Sequence, residues 1–352
     1  MISTIVAVGI ILFAFYLLSI ISEDFFVPAI DSLASKLNIG SDVAGATLLA
    51  MGSSAPELFT SIFAVFGSGG EHSNVGAGAI VGSAIFNVLV IIGAAAMFKA
   101  VKLQWQPVIR DMSFYVITII LLYISFRDGQ VTLIESSIFV ALYALYIIAV
   151  VNWRKLFPYK DISATELVED NEVGQIGTLA RKAIGVVIPD PRKKPHLYAV
   201  SFIMSILAIA LLSHQLVANV VIIADFLSID STFLALTVLA AGTSVPDLIG
   251  SIVVAKQGRG DMAVSNAVGS NIFDVLFGLG MPWLIVVLLR GEPVSVSADN
   301  LTASVFLLFA TVIALLFLMV SRNWKLGHKN GLFLIGLYAT YVIYLLYSTV
   351  IG

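Results

Sequence analysis

The sequence predicts an all-α integral membrane protein whose ten transmembrane helices form two inverted-topology five-helix repeats. Three observations lead there: an apolar composition, a one-sided distribution of basic residues, and two internally similar segments.

Of 352 residues, 59% are hydrophobic and 12% charged, with a mean hydropathy of +1.01. Nineteen Lys and Arg with 22 Asp and Glu cannot coat two soluble domains of ~150 residues each, which excludes soluble, disordered and fibrous classes. A net charge of −3 gives no general basic surface, so nucleic acid is not expected as a partner. With no Cys, disulfides, thiol catalysis and thiolate metal sites are absent. The chain is expected to be no enzyme, to hold no resident cofactor and to need no protein partner.

A hydrocarbon core of ~30 Å takes ~20 apolar residues per helix. Ten such runs are predicted, at about 2–22, 43–66, 75–98, 112–126, 131–151, 197–223, 232–255, 262–289, 300–321 and 331–351. The first lacks a basic flank and a small-residue cleavage site and reads as a retained helix. Residues 24–41 mix Phe25, Phe26, Ile30, Leu33 and Leu37 with Asp31 and Lys36, which suits a short interfacial helix. The first half covers 1–151 and the second 197–352. Between them, 152–196 reads as a cytoplasmic linker with an acidic cluster (Glu166, Glu169, Asp170, Glu172) and a basic one (Arg192, Lys193, Lys194).

Cytoplasmic loops carry the excess of Lys and Arg. Connections leading from odd to even runs hold 17 of the 19, and only Arg127 and Arg290 lie on the other side. Both termini of this cell-membrane protein are therefore expected on the extracytoplasmic face.

Sliding the chain by 190 residues aligns 45–66 with 235–256 at nine identities in 22, among them Gly52/Gly242, Ser54/Ser244 and Pro56/Pro246. A slide of 187 aligns 76–93 with 263–280 at eight in 18, including Ser83/Ser270 and Phe86/Phe273. The repeats, about 40–95 and 230–285, lie five crossings apart. Five is odd, so the second copy enters the membrane from the opposite side. Inverted repeats with interrupted helices mark alternating-access transporters, whose site lies at the repeat interface.

Glu57, Asp247 and Asp274 are the acids that fall in the middle of apolar runs, all within the repeats, and no Lys or Arg is expected inside a span. Such carboxylates should face the protein interior and need cations from outside the chain. Gly52-Ser53-Ser54-Ala55-Pro56-Glu57 and Gly242-Thr243-Ser244-Val245-Pro246-Asp247 each place hydroxyls three and four residues before an acid, on one helix face. Pro56 and Pro246 free the carbonyls of Gly52 and Gly242, and those of Ala50 and Ala240 are expected to be loosened. Ser83 with Asn87, and Ser270 with Asp274, add a hydroxyl and an amide or carboxylate four residues apart. These hard oxygens suit Ca²⁺ or Na⁺ rather than zinc or copper. Thr47, Ser61, Thr237 and Ser251 read equally well as helix-bonded hydroxyls, and Gly52, Gly82, Gly242 and Gly269 as packing positions. His214 and Trp105, Trp153, Trp283 and Trp324 read as interfacial residues.

These motifs resemble the two alpha-repeats of the cation/calcium antiporter superfamily of sodium/calcium exchangers. Gly260-Asp261-Met262-Ala263-Val264-Ser265 followed by Gly269-Ser270-Asn271-Ile272-Phe273-Asp274 is especially similar to potassium-dependent sodium/calcium exchangers and their prokaryotic relatives. The resemblance implies a ten-helix exchanger moving Na⁺ inward against Ca²⁺. Carried over by position, it makes Glu57 and Asp247 the central Ca²⁺ ligands, each also serving Na⁺. Ser53, Ser54, Ser83, Asn87, Thr243, Ser244, Ser270 and Asp274, with the carbonyls of Ala50 and Ala240, complete the sites. The acid at Asp274 is associated with K⁺ in potassium-dependent members, which leaves K⁺ transport open. The chain has Asp where the large animal exchangers have Asn at 274 and lacks their long regulatory domain. Protons are expected to compete with the cations. The rivals are a calcium/proton exchanger, whose Gly-Asn-Ala-Thr/Ala-Glu motif is missing, and an intramembrane aspartyl protease built on Asp247 and Asp274.

Overall fold

The computed structural model describes residues 2–36, 47, 50–66, 73–98, 101–157, 175–227, 231–256, 258, 260–296 and 298–351. The acidic cluster at 166–172 lies outside them.

Eight helices among the described residues are long and apolar enough to cross a membrane, and they correspond to eight of the ten expected runs. In the other two runs, 43–66 and 232–255, the described residues form shorter helices, of which Ala55–Phe66 and Ser231–Thr243 are apolar. The reason is local. Pro cannot donate to the carbonyl four residues back, and both runs break two residues before one, at Ser54 and at Ser244.

Helix α1 (Ile2–Ile21) passes through a wide turn at Ser22–Phe26 straight into α2 (Val27–Lys36), so the expected interfacial helix is continuous with the first span. The first repeat follows as α3 (Ala50–Ser53), α4 (Ala55–Phe66) and α5 (Ser73–Phe86), then a wide turn at Asn87–Ile91 and α6 (Ile92–Phe98). Helices α7 (Trp105–Phe126) and α8 (Leu133–Leu156) complete the half. A capping box starts α8: the Thr132 hydroxyl accepts from the Glu135 backbone N–H, and the Glu135 carboxylate accepts from the Thr132 N–H at 2.8 Å.

The linker is not featureless, because α9 (Gln175–Val187) forms within it. Helix α10 (Tyr198–Leu227) has 30 residues. At ~1.5 Å per residue it is longer than the hydrocarbon core is thick. The second repeat runs α11 (Ser231–Leu234), a wide turn at Ala235–Leu239, α12 (Ala240–Thr243), α13 (Val245–Lys256), α14 (Gly260–Phe273), a wide turn at Asp274–Leu279 and α15 (Gly280–Arg290). Helices α16 (Ala298–Ser321) and α17 (His328–Ile351) close the chain. Repeat-equivalent positions share local structure: the breaks at Ser54 and Ser244 are 190 apart, and the wide turns opening at Asn87 and Asp274 are 187 apart.

Four two-residue strands tie the connections together. Strand β1 (Val101–Lys102) pairs with β4 (Lys325–Leu326), and β2 (Gln130–Val131) with β3 (Val294–Ser295), both antiparallel.

Apolar side chains form two large clusters. One joins α5 to α8 and α14 to α17, and the other joins α1 and α10 to the adjacent faces of the repeats. Trp283, expected at an interface, is instead fully buried between Phe126 and Phe139 at ring distances of 6.0 and 5.7 Å. His214 lies mid-helix in α10 with its ring edge-on to Phe63 at 5.1 Å, not at a span end.

One further expectation fails. The fourth run begins at Trp105 rather than 112, so Arg110 lies inside the helix and is 2% exposed. Its guanidinium donates to both carboxylate oxygens of Asp111 at 2.7 and 3.1 Å, and Asp111 also accepts from Tyr146 and Ser265. Mutual neutralisation lets a helix carry two charges where a hydropathy count sees a loop.

Candidate cation site

The helix breaks define the site. Glu57 falls in the first turn of α4 and Asp247 in the first turn of α13, where the unpaired backbone N–H groups favour a carboxylate. Pro56 and Pro246 occupy the start of the same turns, where a missing N–H costs least. Glu57, Asp247 and Asp274 are all 0% exposed.

The two repeats are joined through these side chains. Ser244 Oγ donates to Glu57 Oε1 at 3.2 Å and lies 2.8 Å from Ser83 Oγ. Asp247 accepts from Ser270 Oγ at 3.2 Å, from Asn87 Nδ2 at 3.4 Å and from Asn266 Nδ2 at 3.5 Å. Asn87 Nδ2 also donates to Asn271 Oδ1 at 2.9 Å. The close approach has a backbone cause: a Cβ on Gly82 would come within 2.3 Å of the Leu236 carbonyl oxygen. Gly242 packs against the Phe15 ring of α1. Both glycines are thus packing positions, as expected.

Three of the six carboxylate oxygens, Glu57 Oε2 and both of Asp274, have no hydrogen-bond partner, and neither do Ser54 Oγ and Asn87 Oδ1. None of the ion pairs among the described residues reaches the three acids. Asp247 and Asp274 share no hydrogen bond. Among the described residues, no three His, Cys, Asp or Glu side chains are grouped to hold a metal by themselves. A cation here would need hydroxyl, amide and carbonyl oxygens as well, which is the chemistry of a hard-ion site.

The structure brings Ser53, Ser54, Ser83, Asn87, Thr243, Ser244 and Ser270 into the buried interior. The carbonyls of Ala50 and Ala240 are less free than expected. Ala50 accepts from Ser54 N–H and Ser53 Oγ, and Ala240 from Ser244 N–H and Thr243 Oγ1. The break lies one residue further on and leaves the last turn closed. Thr237 bonds its own helix at Phe233, whereas Ser61 and Ser251 hydroxyls have no partner.

Asn266, Asn271 and Tyr115 also reach the site, although none is among the expected ligands. Asn271 Nδ2 donates to the Tyr115 hydroxyl at 2.9 Å and to the carbonyl of Ala84, its own counterpart in the first repeat. The signal was an exception to the repeat: Ala79 and Ala84 align with Asn266 and Asn271.

Known proteins resemble this chain in sequence and fold. The chain is 27% identical to human sodium/potassium/calcium exchanger 2, over 94% of this chain and 76% of that protein. It is 29% identical to human sodium/potassium/calcium exchanger 4, over 95% and 79%. In structure it matches the sodium-calcium exchanger NCX_Mj soaked with Na⁺ and Sr²⁺, with a TM-score of 0.61 at 22% identity, covering 97% of this chain and 98% of that one. The family model for sodium/calcium exchanger protein matches residues 7–152 and 197–347, and this multi-pass membrane protein belongs to that family.

Proposed function

We propose that the chain is a secondary antiporter exchanging Na⁺ for Ca²⁺ by alternating access, with Na⁺ entering as Ca²⁺ leaves. The observation that carries this reading is the buried set of Glu57, Asp247 and Asp274, half of whose oxygens lack a donor. A carboxylate at the bilayer centre costs ~2.5–3.5 kcal/mol on insertion scales, and three without a cationic side chain favour ions as the missing partners. Glu57 and Asp247 are the central Ca²⁺ ligands in this reading and also serve Na⁺, with the hydroxyls, Asn87, Asp274 and the Ala50 and Ala240 carbonyls completing the sites. Ser244 and Ser270, which donate to the acids, turn their lone pairs to an arriving cation. Charge then couples the fluxes, because the site reorients only when its carboxylates are neutralised by several Na⁺, or by Ca²⁺ with another cation. K⁺ is a candidate for that second ion, held at Asp274.

Ten spans with inverted halves belong to the same reading, with both termini extracytoplasmic in the cell membrane. The small sheets support it. On a ten-span count, β1–β4 joins the connection after the third span to that after the ninth, and β2–β3 joins those after the fourth and the eighth. Exchanging the halves sends the third to the eighth and the ninth to the fourth, which turns one sheet into the other. The separate apolar cluster of α1 and α10 suits a pair that slides across the repeats.

The test is ⁴⁵Ca²⁺ flux in proteoliposomes with Na⁺, K⁺ and H⁺ gradients varied separately. Uptake driven by Na⁺ and abolished by Glu57→Gln and Asp247→Asn is expected. Near-normal uptake in either variant would sink the site assignment, and flux driven only by a pH gradient would make the chain a calcium/proton exchanger.

A further inference from the structure

Away from the ion site, a cleft of about 690 Å³ opens between the end of α1 and the linker helix α9. Arg181, Lys182, Arg192, Lys193 and Lys194 line it against Asp24 and Asp190, a surplus of three positive charges. The two acids occupy only part of the basic set. Asp24 pairs with Arg181 at 2.6 Å and accepts from Arg192 Nη2 at 2.9 Å, while its backbone carbonyl accepts from the same nitrogen. Burial weakens the Arg192 guanidinium, but Asp24 and Asp190 hold its pKa above the ordinary value, so it stays charged. Lys193 approaches Asp190 loosely at 3.7 Å and is 83% exposed. Lys182 and Lys194 are exposed and have no ion-pair partner among the described residues.

Helix α9 is amphipathic, which suits a cleft at the membrane surface. Its Ala180 and Ile184 pack on the apolar cluster of α1 and α10. Leu179, Val186 and Val187 point away from the protein at 68%, 86% and 63% exposure. Apolar side chains that open to their surroundings beside a basic cleft are what an interfacial helix presents to acyl chains and headgroups. Membrane-spanning helix α10 begins at Tyr198, four residues after Lys194.

We propose that this cleft binds the phosphate headgroup of an anionic membrane lipid, with Lys182 and Lys194 meeting the phosphate and Leu179, Val186 and Val187 lying along its chains. A soluble phosphate would satisfy the lysines but not the exposed apolar row, which is why a lipid is the occupant.

The full-length protein in neutral detergent can be titrated with phosphatidylglycerol, phosphatidylcholine and inorganic phosphate, and bound species counted by native mass spectrometry. Phosphatidylglycerol should bind tens of times more tightly than phosphatidylcholine. Lys182→Gln and Lys194→Gln should each weaken it about fivefold, the value of one basic residue at an anionic surface. Arg127→Gln with Arg290→Gln, at the other membrane face by loop charge, should leave it unchanged. Equal binding of the two lipids, an unaltered lysine double variant, or an equal loss in the arginine control would overturn the proposal. Inorganic phosphate binding as tightly as phosphatidylglycerol would also overturn it and mark a soluble-anion site.

Discussion

Gly82→Ala tests whether the two repeats meet backbone to backbone beside the acids. The added Cβ would sit 2.3 Å from the Leu236 carbonyl oxygen and 2.7 Å from the Ala240 Cβ, where ordinary contact begins at 3.4 Å. The shortfall is about 1.1 Å, and it falls on backbone, which no rotamer change relieves. Either α5 or the wide turn at Ala235–Leu239 must move by that much. Ser83 lies next to Gly82 and Ala240 opens the turn that ends at Ser244, so the 2.8 Å contact between Ser83 and Ser244 should open. Overpacking of this size costs ~1–3 kcal/mol, and a ~1 Å misplacement of working groups costs about 10²-fold in rate. Na⁺-driven ⁴⁵Ca²⁺ uptake in proteoliposomes should therefore fall about a hundredfold, with a Tm lowered by several degrees in a fluorescence melt. Gly336→Ala is the control, since nothing lies within 4 Å of its Cβ. Wild-type uptake and Tm in Gly82→Ala would refute the close approach.

Arg110→Gln should be among the most destabilising single changes, because it leaves Asp111 buried at 1% exposure without its charge partner. A loss of ~3–5 kcal/mol is expected, and Arg110→Gln with Asp111→Asn should recover most of it in thermal unfolding. Tyr115→Phe removes the hydroxyl that accepts from Asn271, worth ~1 kcal/mol; the Na⁺ dependence of uptake should weaken severalfold while the fold stays intact. For Asp274→Asn, uptake is compared with K⁺ or choline outside. Any K⁺ stimulation of the parent should vanish, and stimulation that survives clears Asp274 of that role.

The helix breaks were legible because Pro acts locally: Pro56 and Pro246 determine where the hydrogen-bond ladder fails, whatever packs around them. The acids were legible because a charge in an apolar run has few explanations. What escaped has a different origin. Asn266 and Asn271 are hidden from a repeat match, which rewards identity, because they stand where the first repeat has Ala79 and Ala84. Tyr115 lies outside the repeats, and nothing in its neighbourhood of α7 signals that Asn271 sits opposite. Arg110 and Asp111 looked like the end of a loop because a hydropathy window adds two penalties where the folded pair cancels them. Trp283 looked interfacial because a tryptophan near a span end reads the same whether lipid or Phe126 and Phe139 surround it.

The repeat relation makes Ser54 the counterpart of Ser244 and Asp247 that of Glu57, yet only one half of the exchange is made. Ser244 donates to Glu57 across the interface, while the Ser54 hydroxyl makes no hydrogen bond to Asp247. On the proposed alternating-access reading, two halves of the same design in different local states correspond to one side of the cycle. Swapping the halves' states releases Ser244 and has Ser54 donate to Asp247. Ser244→Ala and Ser54→Ala should then affect opposite ends of the cycle. In right-side-out and inside-out vesicles, each variant should weaken apparent Ca²⁺ affinity several-fold at one face and leave the other near normal, and the faces should differ between the two variants. Equal losses at both faces for both serines would mean that the asymmetry is fixed by sequence differences such as Asn87 against Asp274, and that it does not invert during transport.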